Sequence, residues 1–153
     1  MRMIRSGIRR YPGSMAGITL IELLTVMVVI AVLSSLAISS YRRYLLRVNR
    51  TDATATLLRI QVAQEKYFLQ NNAYVQSLTN ISTAPPTGLG VSLGDGGTTP
   101  RGYYTMAITA TDTTYTITAT ATGNQVNDTA ACLTFTIDQT GARTPADSTG
   151  CWR

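Results

Sequence analysis

The sequence predicts an α+β fold in which one long N-terminal α-helix, made of a transmembrane half and an amphipathic half, packs on a small antiparallel β-sheet. Three observations predict it. From Leu23 to Tyr41 no side chain ionises, and an apolar run of that length crosses a bilayer as a helix. Past it, Leu46, Ala53, Leu57, Ile60 and Tyr67 recur at steps of three, four or seven, the spacing of one helix face. Beyond Pro100 the apolar period drops to two in three successive segments, as it does in half-buried strands.

Composition narrows the classes open to the chain. Its 153 residues suit one domain with a modest core, and aromatic residues make up only 7% of them. The formal charge of +5 suggests an acidic partner until its position is considered. Arg2, Arg5, Arg9 and Arg10 all precede the apolar run, no acid stands before Ile18, and the remainder is close to neutral. The basicity therefore belongs to the leader. Two cysteines, Cys132 and Cys151, and no histidine leave too few ligands for a structural zinc site. In a chain exported through a membrane, two such thiols read better as a disulfide.

The N-terminal segment fits three processing schemes. A secretory signal peptide would be cut after small residues, for which Ser35-Leu36-Ala37 offers a site. A plain signal anchor would stay uncut, and a third scheme cuts between Gly17 and Ile18. Glu22 discriminates among them, because a carboxylate costs about 2.5–3.5 kcal/mol at the centre of a span and less near an end. A cut after Gly17 frees a cationic amine at Ile18, four residues before the acid on the same helix. When helices of several copies pack side by side, the amine of one can also meet the carboxylate of another. A subunit docked at the wrong height would bury either charge alone.

A basic leader ending in Gly17, then Ile18-Thr19-Leu20-Ile21-Glu22-Leu23-Leu24 and a long apolar helix, resembles the class III leader of type IV pilins and pseudopilins. The family's usual first mature residue is Phe, where this chain has Ile18. The resemblance implies the type IV pilin fold, cleavage between Gly17 and Ile18 by a prepilin peptidase, N-methylation of Ile18, and a role for Glu22 in subunit assembly. The chain then divides into a leader at 1–17, a transmembrane and assembly half-helix at 18–44, and a head at 45–153.

The 24 residues from Ile18 to Tyr41 make about 36 Å of helix, enough for a hydrocarbon core of about 30 Å. Tyr41 and Tyr44 suit the interface, with Arg42, Arg43, Arg47 and Arg50 beyond. Basic residues flank both ends of the span, so the positive-inside count leaves orientation undecided. The arginines after it read either as a phosphate-binding patch or as a solvated helix surface touching neighbouring subunits and lipid head groups. With neither proline nor glycine between Ile18 and Tyr67, the helix is expected to reach about Leu69. From Asn71 to Pro100 turn formers replace the periodicity and predict a long surface connection. Gly88-Leu89-Gly90 has the wrong spacing for a phosphate loop.

The strands follow at 103–110, 115–122 and 133–138. Tyr104, Met106, Ile108 and Ala110 form one apolar face, Tyr115, Ile117, Ala119 and Ala121 another, and Leu133, Phe135 and Ile137 a third, each opposed mainly by threonines. The stripe from Leu46 to Tyr67 is the cover this meander requires. A bridge from Cys132 to Cys151 would pin the last segment, as pilins close their D-region, and the ending Cys151-Trp152 resembles small PilE-like minor pilins.

No catalytic set is visible, and an enzyme is not expected. The acids Asp95, Asp112, Asp128, Asp138 and Asp147 are scattered, and no cofactor or metal is implied. The expectation is a structural subunit of a type IV pilus, a minor pilin contributing to assembly, twitching motility and adhesion. It would sit in the bacterial inner membrane before assembly and in the extracellular pilus after it. Partners implied by the resemblance are other pilin subunits, prepilin peptidase, the inner-membrane assembly machinery and membrane lipid. The alternatives are a type II secretion pseudopilin, which the terminal disulfide and the lack of an acid-rich Ca²⁺ loop oppose, and a DNA-binding pilin. The second would rest on Arg101, Arg143 and Arg153 with the tyrosines; nucleic acid is otherwise not indicated.

Overall fold

A computed structural model describes residues 17–152. The leader up to residue 16, with Arg2, Arg5, Arg9 and Arg10, and the terminal Arg153 lie outside the described residues. The chain divides into two units, Met1–Ile38 and Ser39–Arg153. Helix α1 (Leu20–Asn71) contributes to both.

In the first unit, the helical residues 20–38 are all exposed and, apart from Glu22, Thr25, Ser34 and Ser35, apolar. Among the described residues of that unit, none covers them. A helix apolar around its whole circumference belongs in lipid or among other helices, and this one meets the length and composition needed to cross a membrane.

In the second unit α1 buries one stripe: Arg50, Ala53, Thr56, Leu57, Ile60 and Gln64. Ala53, Leu57 and Ile60 are the residues that periodicity assigns to that face, while Leu46 and Tyr67 lie at its half-buried ends. Against it packs a sheet of four strands, β1 (Tyr104–Ala110), β2 (Tyr115–Ala121), β3 (Thr134–Asp138) and β4 (Arg143–Thr144), in the order β1-β2-β3-β4. Every neighbouring pair is antiparallel. The register places Met106 beside Ala119 and Ala119 beside Phe135, so one face carries a continuous apolar row. Tyr104, Tyr115, Ile117, Phe135 and Ile137 are fully buried there.

Two features depart from the sequence expectation. The sheet has a fourth strand, short enough that two residues leave no period to detect. The connection between helix and sheet is also more than surface loop. It carries helix α2 (Leu78–Ser82), started by the Ser77 hydroxyl accepting the Asn80 N–H, and it buries Val75, Ile81 and Leu89 in the core. Gly88 lies so close to the backbone carbonyls of Asn80 and Thr83 that a Cβ there would collide with both. Glycine is required at that position by close approach rather than by a bound phosphate.

Cys132 and Cys151 are joined by a disulfide across a separation of 19 residues, with Cα atoms 5.4 Å apart. It holds the segment after β4 against the sheet. Trp152 there packs edge-on to Phe135 at 5.5 Å between centroids and donates its indole N–H to the Thr144 carbonyl.

Candidate functional site

Gly17, Ile18 and Thr19 precede α1 without regular structure and are exposed, as is Glu22 in its first turn. The Glu22 N–H donates to the Thr19 hydroxyl at 3.3 Å, and the Leu23 N–H to the Thr19 carbonyl at 3.2 Å. Thr19 thus serves as N-cap, with Glu22 at the third helical position of a Thr-x-x-Glu pattern. An acid there also complements the positive end of the helix dipole. Reading Glu22 only through its amine partner missed this local role, although the four-residue pattern was visible. Gly17 has open space where a Cβ would stand, so packing does not require glycine at that position.

In the second unit the polar groups concentrate where α1 meets the connection between β2 and β3. Arg50 forms a bidentate pair with Asp128, Nε to Oδ2 at 2.7 Å and Nη2 to Oδ1 at 2.6 Å. The Arg50 and Asp128 side chains retain only 10% and 3% of their exposure. This corrects the expectation of a solvated Arg50, whose position falls on the stripe with Ala53 and Leu57. A buried charge is tolerated because its partner is buried with it.

Gln125, fully buried, completes the latch. Its amide nitrogen lies 3.0 Å from the Leu46 carbonyl, the Tyr104 hydroxyl and Asp128 Oδ2, and its carbonyl accepts from Asn49 at 3.1 Å. Burial alone would push the Asp128 carboxyl up, but hydrogen bonds from Arg50, the Thr129 N–H and Gln125, with the guanidinium charge, outweigh it and hold the group below its ordinary range. The same Asp128 bond raises Arg50 against the opposing effect of burial. Burial pushes the Tyr104 hydroxyl up to about 12.

A second cluster ties the far end of the helix to the sheet. Glu65 accepts from the Tyr74 hydroxyl, at 3.2 Å in the shorter of two contacts, and from the Tyr115 hydroxyl at 3.2 Å. Burial first, and the Glu65 charge second, raise both phenols. Gln64 exchanges two hydrogen bonds with the Val75 backbone, at 2.8 and 2.9 Å, and so anchors the start of the helix-to-sheet connection. Sequence reasoning missed Gln64, Gln125 and the Arg50–Asp128 pair, because polar residues that bond across dozens of positions leave no local period.

The arginines weighed for DNA are not gathered. Arg101 precedes β1 at one edge of the sheet and Arg143 lies in β4 at the other, where its guanidinium sits 5.2 Å from the Trp152 ring centroid. Their expected companion Arg153 is outside the described residues. Among the described residues no group of His, Cys, Asp and Glu could hold a metal ion.

Residues 39–136 match the family model of the type IV minor pilin ComP, DNA uptake sequence receptor. The chain belongs to this family of type IV minor pilins. The match begins where the second unit begins, takes in the Arg50–Asp128 latch and strands β1 and β2, and ends within β3. A type IV major pilin protein, PilA, of Myxococcus xanthus (strain DK1622) is 28% identical over 81 residues, which is 53% of this chain and 37% of that relative. The chain therefore spans well under half the length of this curated relative. A solved type IV pilin from Shewanella oneidensis is similar over 71% of this chain and 98% of its own, at 24% identity and a TM-score of 0.49.

Proposed function

We propose that this pilin is a structural subunit of a type IV pilus, held by α1 in the bacterial inner membrane until it is drawn into an extracellular filament. The observation that carries this is the first unit: residues 20–38 are exposed and, apart from Glu22 and three hydroxyl side chains, apolar, and nothing among the described residues covers them. Lipid satisfies that helix before assembly, and the helices of neighbouring pilin subunits satisfy it afterwards. Prepilin peptidase and the inner-membrane assembly machinery are the partners this route requires. Pilus assembly, twitching motility and adhesion are the activities such a filament serves, none of which needs an enzyme active site.

Cleavage between Gly17 and Ile18, followed by methylation of the Ile18 amine, fits an exposed segment whose glycine has no packing role. Recognition by a peptidase supplies the reason that packing does not. Glu22 then meets the new amine of its own or a neighbouring helix and sets subunit height. The test is the intact mass and N-terminal sequence of the protein recovered from sheared filaments. A chain beginning at Ile18 with one added methyl is expected; one beginning at Ile38, or an uncut chain found only in membranes, overturns the proposal.

A second reading is favoured by the matched family's description as a DNA uptake sequence receptor. In it the head binds DNA through Arg101 or through Arg143 beside Trp152. Separate substitutions with glutamine, measured for DNA binding at two salt concentrations, test it. Loss of a salt-dependent component supports the receptor, and unchanged binding leaves a plain structural subunit.

A further inference from the structure

Where α1 leaves its uncharged run, it forms two adjoining clefts with the connection between β2 and β3, of about 480 and 550 Å³. The first is lined by Arg43, Arg47, Leu46 and Thr129 together with the Arg50–Asp128 pair. Arg42 lines the second. We propose that the first cleft holds the phosphate of an anionic phospholipid headgroup, with Arg43 and Arg47 as its ligands. This rests on the reading of the chain as membrane-anchored.

Charge comes first. The cleft's one carboxylate, Asp128, is occupied by the bidentate Arg50 and by the Thr129 N–H, and so opposes an incoming anion little. Arg43 and Arg47 form no ion pair among the described residues. They stand four apart on one helix face, where like charges repel and a shared anion relieves the repulsion. The nearest acid along the helix, Asp52, faces elsewhere and accepts from the Arg101 N–H.

Position comes second. Arg43 and Arg47 follow Tyr41, the last residue of the uncharged run, by two and six positions. At 1.5 Å per residue that is about 3 and 9 Å along the helix, the depth of headgroups beyond a hydrocarbon core. A phosphodiester and its glycerol fit a cleft of this size, and Leu46 gives the glycerol an apolar wall. DNA phosphates share the chemistry, but a duplex presents phosphates in rows, whereas Arg43 and Arg47 line a single cleft a short way along α1 from the uncharged run.

The test reconstitutes the full chain in nanodiscs of phosphatidylcholine alone or mixed with phosphatidylglycerol, and native mass spectrometry counts the lipids retained. The wild-type chain should retain phosphatidylglycerol preferentially. Arg43→Gln with Arg47→Gln should weaken that preference by about thirty-fold, at roughly five- to six-fold per arginine. Arg59→Gln, an exposed arginine on α1 away from the cleft, should keep it, and circular dichroism checks that each variant is folded. Equal retention by the double variant, or an equal loss in the Arg59 variant, overturns the proposal. Inorganic phosphate and a DNA duplex are added separately to chains in phosphatidylcholine discs. Binding of either one that needs Arg43 and Arg47, without a phosphatidylglycerol preference, assigns the cleft elsewhere. A chain that inserts into neither disc refutes the anchoring itself, whereas one that inserts without lipid preference refutes the lipid site alone.

Discussion

Asp128 shows how much of the head's stability one side chain can carry. Its carboxylate neutralises a guanidinium that α1 has turned inward, and it accepts from two further donors. Asp128→Ala strands Arg50 in a site with little water, which should cost about 3–5 kcal/mol in urea unfolding. Replacing Arg50 and Asp128 together with apolar residues should cost less than the sum of the single changes. Arg50→Lys should not rescue, because a point charge cannot reproduce the two parallel bonds. The pH dependence follows from the direction of the shift: a depressed carboxyl stabilises the fold fully above its unfolded value of about 3.9, and that contribution disappears as pH falls through the lower folded value. Unfolding measured between neutral pH and pH about 3 should show an acid loss that is smaller in Asp128→Asn, where Asp138, also held below its ordinary range, still contributes. Tyr104 has the opposite sign. With its hydroxyl pushed up to about 12, it adds stability below its unfolded value near 10 that is lost as pH rises through the folded one. A tyrosinate absorbance titration of the folded protein should therefore lose part of its late, high-pH rise in the Tyr104→Phe variant, with the raised hydroxyls of Tyr74 and Tyr115 supplying what remains.

Among the elements, those built from periodic apolar residues were legible and those held by long-range polar bonds were not. Leu57 and Ile60 mark the buried face of α1 by spacing, and the alternation of β1, β2 and β3 locates the sheet to within a residue at each end. Arg50 and Gln64 share the buried face of α1 yet look like surface residues, because their partners lie in other elements. The helix-to-sheet connection read as loop for a similar reason. Its buried residues Val75, Ile81 and Leu89 are spread among turn formers, and α2 is too short for periodicity. That connection is nevertheless a packed element, and Gly88→Ala should demonstrate it. The added methyl meets two backbone carbonyls that cannot swing aside, so the substitution should destabilise the head by about 1–3 kcal/mol as overpacking does. The disulfide was legible from two cysteines and an exported context. Cys132→Ser with Cys151→Ser should cost about 3 kcal/mol for a loop of its length. Limited proteolysis should then cut first in the segment after β4, where Trp152 and few other residues hold the chain.

For the whole molecule, the two units place opposite demands on solvent. The second closes a core of its own, with Ala53, Leu57 and Ile60 against the sheet, whereas the described residues of the first are all exposed and, in the proposed function, find their cover in lipid or in other helices. A chain starting near Ser39 should therefore remain soluble and unfold cooperatively, with the urea midpoint of the intact protein, while losing both membrane retention and filament entry. Glu22 belongs to the remaining question of how subunits find their height. Its observed local role is at the third position of a capped helix start, and its proposed second role, in assembly, rests on its being the one charge in the early apolar segment. Thr19→Ala removes the cap at a cost of about 0.5–2 kcal/mol to the helix start but keeps the carboxylate. Glu22→Ala removes the carboxylate and leaves the threonine. If local capping were the whole role, the two variants would reduce filament incorporation alike. The proposed pairing of Glu22 with an Ile18 amine predicts otherwise: Thr19→Ala should enter sheared filaments at close to the normal level, and Glu22→Ala should accumulate in the membrane. Quantifying each variant in both fractions separates the cases, because a membrane prefers the Glu22→Ala helix and only an assembly step can reject it.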